Sequence, residues 1–322
     1  MSFLDKYKAS RGDSLKRALE DAKKVDGKNF EKDADDWYPS VDKSGTGHFV
    51  IRFLPGPEVE KCDWVHFWTH EFQSAQGGWY INNCLSTLDL PDPVSEYNRI
   101  LWNKGKDDKS PERIQARDQK RKLYYRSNIL VLHDSIHPEN NGKIKKFKYG
   151  KGIFKFIQEA MTPPVISGMT SVEGFEPFDL LTGANFEIVV YTEVKGGRKD
   201  RKYDKSKFQA RQPLGTEEKM ELIYNEINSD SKWSLKQYVD PAKFKTYEVL
   251  KKELDRALGF DWQTGNSVQD ASRSKPVSRQ SQKTPDDDNP PWNSDADQTA
   301  LSNESSSFAN DDEFLKSLTE ND

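Results

Sequence analysis

Short stretches of alternating apolar and polar residues, helical segments set between and after them, and turn residues at the breaks point to an α+β fold with a mainly β core. A small barrel of the OB-fold type with helical insertions meets that pattern, with an α+β sandwich as the alternative. A basic arm precedes the core and an acidic tail follows it, so the chain divides into residues 1–28, 29–262 and 263–322.

In the arm, SLKRALEDAKK is one helical stretch, with Ser14 as cap and Leu15 and Leu19 on one face. That face is too narrow for an independent domain. HFVIRFLP then alternates Phe49, Ile51 and Phe53 with Val50, Arg52 and Leu54, and stops at Pro55-Gly56-Pro57. DWVHFWTHEF and GWYINN flank QSAQGG, a hairpin connection. RSNILVLHD is the most apolar strand, hence central. IKKFKYGKG puts Phe147 and Tyr149 on one face, alternating with Lys146 and Lys148, and ANFEIVVYTEVKGG is a further long strand. GIFKFIQEAM reads as a short helix, and TEEKMELIYNEI as a helix capped by Thr216. PAKFKTYEVLKKELDRALG reads as a third, with Pro241 near its start and Gly259 past its end. After Trp262 the composition turns to Ser, Asp, Asn, Gln and Pro, too poor in apolar residues to offset chain entropy, and disorder is expected.

With 34% hydrophobic and 32% charged residues the chain has a modest core and much solvated surface. No apolar run is long enough to cross a bilayer and no signal peptide is visible, so cytosolic residence is expected. Cys62 and Cys84 are expected to be free thiols. The net charge of −4 conceals an asymmetry. Residues 281–322 hold eleven acids against Lys283 and Lys316, a net −9, which leaves +5 on residues 1–280.

Basic charge interleaved with aromatic rings recurs in three segments of that basic body. The first contains Trp102, Lys120, Arg121, Lys122, Tyr124, Tyr125 and Arg126; the second Lys146, Phe147, Lys148 and Tyr149; the third surrounds Tyr203. A single nucleic-acid strand offers phosphates to cations and unstacked base faces to exposed rings, so this interleaving suits it. Enzymatic motifs are absent: there is no Gly-rich phosphate loop, GxSxG, HExxH or CxxC. An enzyme is therefore not expected. A Mg²⁺-dependent nuclease using Asp107, Asp108 and Glu112 is the catalytic rival, and an RNA-binding protein with the same groove is the binding rival.

GHFVIRFLP, GGWYINNCLST, DPVSEYN, KRKLYYRSNILVLHD, PENNGKIKKFKYGKGIF and TGANFEIVVYTEV occur in an order that resembles the single-stranded-DNA-binding, helix-destabilising proteins of T-even-like bacteriophages. The resemblance covers roughly residues 45–210 and extends loosely to arm and tail. It implies an OB-fold core and cooperative coating of single strands during replication, recombination and repair. The setting would be the cytoplasm of an infected bacterium, with a tail that recruits replication and recombination proteins. It also implies backbone contacts from Arg52, Lys120, Arg121 and Lys122, and roles for Tyr125, Phe147 and Tyr203. Arg126 stands where the family has a stacking tryptophan, and a guanidinium can stack on a base too. Lys6, Lys8, Arg11, Lys16 and Arg17 loosely match the basic motif that links neighbouring copies.

The resemblance further implies a structural zinc held by one His and three Cys. His70 and Cys84 match the first two positions, but Asp92 and Ser95 stand where two thiolates belong. Tetrahedral structural sites want four good ligands, so no bound metal and no other cofactor is expected, with His66 or Cys62 the nearby candidates for substitution.

Overall fold

The computed structural model describes residues 34–164, 173–195 and 198–265. The chain divides into two compact units, residues 1–36 and 37–322. The arm residues Lys6, Lys8, Arg11, Lys16 and Arg17, the arm helix and the tail after residue 265 lie outside the described residues.

Among the described residues nine strands run β1 (Asp36–Trp37), β2 (Thr46–Phe53), β3 (Val65–Gln73), β4 (Trp79–Asn83), β5 (Lys122–Asp134), β6 (Ile144–Gly150), β7 (Ala184–Lys195), β8 (Arg198–Lys202) and β9 (Lys207–Arg211). Five α-helices are described: α1 (Pro93–Lys104), α2 (Pro111–Asp118), α3 (Lys151–Met161), α4 (Glu217–Ser229) and α5 (Tyr247–Leu258). The main sheet path is β6-β5-β2-β7-β8, with β3 on β5, β4 on β3, and β9 on β7. The sheet is open along this path. β5 is central, as its apolar sequence suggests: it pairs antiparallel with β6 along one edge and with β2 and β3 along the other.

The core follows strand parity. Phe49, Ile51 and Phe53 of β2 bury with Ile129 and Val131 of β5, Phe147 and Tyr149 of β6, and Phe186, Ile188 and Val190 of β7. Ile153, Phe154 and Ile157 of α3 pack onto the same cluster. Each large side chain so buried contributes about 1.5–3 kcal/mol. The opposite face is covered at one end. There Leu54 and Leu130 meet Ile223 and Ile227 of α4 and Trp233, which is why Arg52 and Leu54 are buried although they alternate with core residues. A third cluster joins the β3–β4 hairpin, through Phe72 and Tyr80, to Val94, Tyr97 and Leu101 of α1 and Leu254 and Leu258 of α5.

Turn chemistry places these parts. Gly77 and Gly78, with φ of 89° and 80°, close the QSAQGG hairpin in the left-handed region that only glycine enters without strain. Gly259, at φ 84°, ends α5. Thr216 caps α4 by accepting from the Lys219 amide. The third expected helix begins later than its proline suggests. Pro241 opens a 3₁₀ turn capped by Asp240, Phe244 is extended, and α5 starts after Thr246. The stretch 103–119 contains α2, with Ser110 before it and Pro111 at its first position. No helix among the described residues is long and apolar enough to cross a membrane.

Candidate nucleic-acid interface

Side chains alternate across β5, and its odd positions, Tyr125, Ser127, Ile129 and Val131, turn to the main core or its margin. The even positions Lys122, Tyr124 and Arg126 therefore share the other face. Register brings them neighbours: Arg126 stands between Val65 and Lys148, Tyr124 opposite Phe67, and Lys122 opposite Thr69. Lys146, opposite Asn128, continues the row on β6. The result is a stripe of cations and rings. The Lys148 ammonium lies 3.7 Å from the Tyr124 ring centroid and 5.8 Å from that of Phe67. The Arg126 guanidinium sits 4.0 Å over Tyr238, and the Lys146 ammonium 6.0 Å from the Trp233 ring.

Beneath the stripe lies Glu71, whose side chain has no exposed surface. Its carboxylate takes the Tyr124 hydroxyl at 2.9 Å and the Thr69 hydroxyl at 3.0 Å, and pairs with Lys148 at 3.4 Å and Lys122 at 3.7 Å. Burial alone would raise this carboxyl. The two ammoniums and two hydroxyls outweigh burial and hold it below the usual glutamate value. Lys148 goes the other way, below the ordinary lysine value, because burial outweighs the pull of Glu71.

The sequence-based candidates separate by position. Lys122, Arg126, Lys146 and Lys148 come together on the stripe. Lys120 is exposed, and the Arg121 guanidinium lies 4.3 Å over Trp68 at the end of β5, with the Lys151 ammonium 5.9 Å from the same ring. Trp102 belongs to the helical lobe, half-buried under Arg113 at 4.7 Å. Tyr125 is half-buried and stacks on Phe154, centroids 3.8 Å apart and planes 10° from parallel. Phe147 is 1% exposed, edge-on to Trp37, and Tyr149 is buried with its hydroxyl 2.8 Å from that of Ser127. Tyr203 is buried in the same core, and burial pushes its phenol up to about 12. Arg52 is 0% exposed and donates from Nη2 to the Asp179 carbonyl at 2.7 Å. As placed, Phe147, Tyr149, Tyr203 and Arg52 offer no open face to a ligand, and on the stripe itself Lys146, Tyr124 and Phe67 are buried as well, so its half-exposed cations are Lys122, Arg126 and Lys148.

Sequence reasoning placed Tyr124 in the first basic–aromatic segment without singling it out, and it missed Phe67, Glu71 and Tyr238 as parts of the site. The parity signal was available: Tyr125 shares odd numbering with Ile129 and Val131, so its neighbour Tyr124 had to share the outer row with Lys122 and Arg126. Beyond Arg126 the stripe reaches a cleft of about 750 Å³ between residues 62–66 and 234–241.

Away from the stripe, His70, Cys84 and Asp92 are buried with their donor atoms within 4.8 Å of one another. His70 Nε2 lies 3.1 Å from Asp92 Oδ1 and 3.4 Å from Ser95 Oγ, while its Nδ1 is 2.9 Å from the Gln119 carbonyl. Asp92 also caps α1, accepting from the Val94 and Ser95 amides at 3.1 and 3.0 Å, and it accepts from the Leu85 amide at 3.1 Å. Burial alone would lower the His70 imidazolium; hydrogen bonds and charge from Asp92 and Cys84 outweigh it and carry the ring up to about 9. Burial would likewise raise Asp92, but His70 and backbone amides hold it at about 2. The Nδ1 bond to the Gln119 carbonyl is one that a zinc-ligating imidazole also makes, so His70, Cys84 and Asp92 supply three donors, but the fourth position offers only a neutral hydroxyl. The set does not fit a four-ligand structural zinc.

Cations and rings alternating along one sheet face make a surface for a polyanion that also carries flat rings. The family described as gp32 DNA binding protein like matches residues 45–258, a span that holds the stripe, the cleft and the His70 cluster. The chain is 32% identical over 256 residues to the single-stranded DNA-binding protein of Enterobacteria phage T4, covering 77% of this chain and 79% of that protein. It is 33% identical over 234 residues to the single-stranded DNA-binding protein of Enterobacteria phage T2, covering 71% of each. The chain belongs to the gp32-like DNA-binding family.

Proposed function

We propose that this protein binds single-stranded DNA without sequence preference, laying the strand along the Lys122–Tyr124–Arg126 row and its β6 neighbours. The stripe itself carries this reading: cations spaced along a sheet face, Arg126 and Lys148 each beside a ring, in a chain whose relatives are named for single-strand binding. Phosphates supply charge-driven affinity, and unstacked bases supply the contacts that duplex DNA hides. The buried candidates Arg52, Lys146, Phe147, Tyr149 and Tyr203 hold the sheet in shape, while Lys120 and Arg121 extend the basic surface and Trp102 packs in the helical lobe. The core is of the OB-fold type. The protein acts by stoichiometric coating rather than catalysis, in the cytoplasm of an infected bacterium, during replication, recombination and repair. The arm residues Lys6, Lys8, Arg11, Lys16 and Arg17 link neighbouring copies, and the tail engages replication and recombination proteins. The His70–Asp92 pair closes its part of the fold without a metal.

A salt series with oligo-dT, a matched RNA and duplex DNA tests the reading. Single-stranded DNA should bind tightest, with affinity falling steeply as salt rises. Each neutralised phosphate contributes about 0.7 to the log–log slope. Equal affinity for duplex, much tighter RNA binding, or strand cleavage with Mg²⁺ would sink it.

A further inference from the structure

At the far end of the sheet from the stripe, past the cover made by α4 and Trp233, three side chains of ligating chemistry converge. β2 runs between β5 and β7, and its outer row there is His48 and Val50. Val50 stands opposite His133 on β5 and opposite Glu187 on β7, so His48, the next outer residue, is a diagonal neighbour of both. A β-bulge turns His133 to this side. The odd-numbered Ile129 and Val131 point into the core, but between Val131 and His133 the β5 strand carries one residue more than β2, and Val50 meets His133 where Ile51 meets Val131. Bulges re-aim side chains in this way. His133 is exposed, and the His48 side chain is 47% exposed. His48 Nε2 lies 2.8 Å from Glu187 Oε1, and the His48 and His133 ring centroids are 5.8 Å apart.

We infer that His48, His133 and Glu187 form a surface site for one divalent transition-metal ion of the imidazole-binding kind, Zn²⁺, Ni²⁺ or Cu²⁺. Two imidazoles and a carboxylate suit those ions, whereas Mg²⁺ and Ca²⁺ want oxygen throughout. The spacing agrees. At metal–ligand distances of about 2.0–2.2 Å, a nitrogen and an oxygen on one ion stand roughly 3 Å apart, and two imidazole centroids roughly 5–6 Å apart. Among the described residues only His70, Cys84 and Asp92 already hold their donor atoms within 4.8 Å of one another, so here the His133 ring must turn inward to complete the set. No hydrogen bond or ion pair to a described residue holds that ring, and it stands in solvent. Lys207 is the competitor, but it pairs with Oε2 of Glu187 at 3.7 Å and leaves Oε1 beside His48. Three protein donors leave the other positions to water, so the ion exchanges with solution and the fold does not depend on it.

The test is a calorimetric titration of the untagged full chain with Ni²⁺, beside His48→Ala and His133→Ala. Each substitution should weaken Ni²⁺ binding roughly tenfold or more, since even a change outside the ligand shell costs about 10–100-fold. Both variants should melt with the parent when no ion is present, because both rings stand at the surface. The unmodified chain supplies a second readout. Paramagnetic Ni²⁺ should broaden the ring-proton NMR signals of His48 and His133 before those of the other three histidines, His66, His70 and His137. Absence of Ni²⁺ binding, equal affinity in the parent and both variants, or broadening that reaches His66, His70 or His137 first would overturn the site.

Discussion

At the scale of single residues, neighbouring positions on one strand do different work. Phe147 closes the core while Lys146 and Lys148 face the stripe. Phe147→Ala should therefore cost about 3–5 kcal/mol of stability, as large-to-small core changes do, and lower the melting temperature. Arg126→Ala should leave melting nearly unchanged and weaken oligo-dT binding, with a reduced salt slope. Equal melting temperatures for Phe147→Ala and the parent would show that the ring is not structural. Glu71 adds a pH dependence of definite sign. Its folded-state pKa lies below the ordinary 4.5, so its contribution is fully present above that value and is lost as pH falls through the lowered one. Glu71→Gln should flatten the acid limb of the stability profile below about pH 4.5. It should also cost about 3–5 kcal/mol at neutral pH by leaving Lys122 and Lys148 without their buried counter-charge. An acid limb unchanged by the substitution would show that another carboxylate sets it.

Among elements, the hairpin of β3 and β4 and the start of α1 are joined through His70, Cys84, Asp92 and Ser95. Asp92 both caps the helix and pairs with the histidine, so one side chain fixes two elements. Added chelator should accordingly leave the melting temperature where it is, whereas Asp92→Ala should lower it by removing cap and ion pair together. Stoichiometric zinc in the purified protein, or a chelator-induced fall in melting, would show that the cluster holds a metal after all. Strands were readable from sequence because their parity is local: β2, β5, β6 and β7 each announce a buried row. The helix α2 was not readable, because PERIQARD has no apolar stripe and owes its place to Pro111, Ser110 and the contacts of Ala116 with α1. The stripe was half legible. Lys122, Arg126, Lys146 and Lys148 stand out as charge, but Glu71 and Tyr238 reach them from 51 and 112 residues away in sequence, a proximity that no local pattern encodes.

For the whole molecule, charge is divided along the chain, −9 on residues 281–322 against +5 on the rest. The tail's acids stand around isolated apolar points, Trp292, Phe308, Phe314, Leu315 and Leu318, which a partner's pocket could grip. The same acids resemble a phosphate backbone, and a tethered segment has a high effective concentration, so even weak pairing with the stripe should compete with a strand. Deleting residues 281–322 should therefore tighten oligo-dT binding at low salt and make duplex destabilisation easier. The gain should shrink as ionic strength rises, because the Debye length falls from about 30 Å at 0.01 M to about 8 Å at 0.15 M and screens both contacts. The truncated protein should also fail to recover replication or recombination proteins in a pull-down. Its affinity measured against salt beside the full chain, with the two curves converging at high salt, is the signature of internal competition. Parallel curves together with an unchanged set of captured partners would mean that the acids do no more than keep the protein in solution.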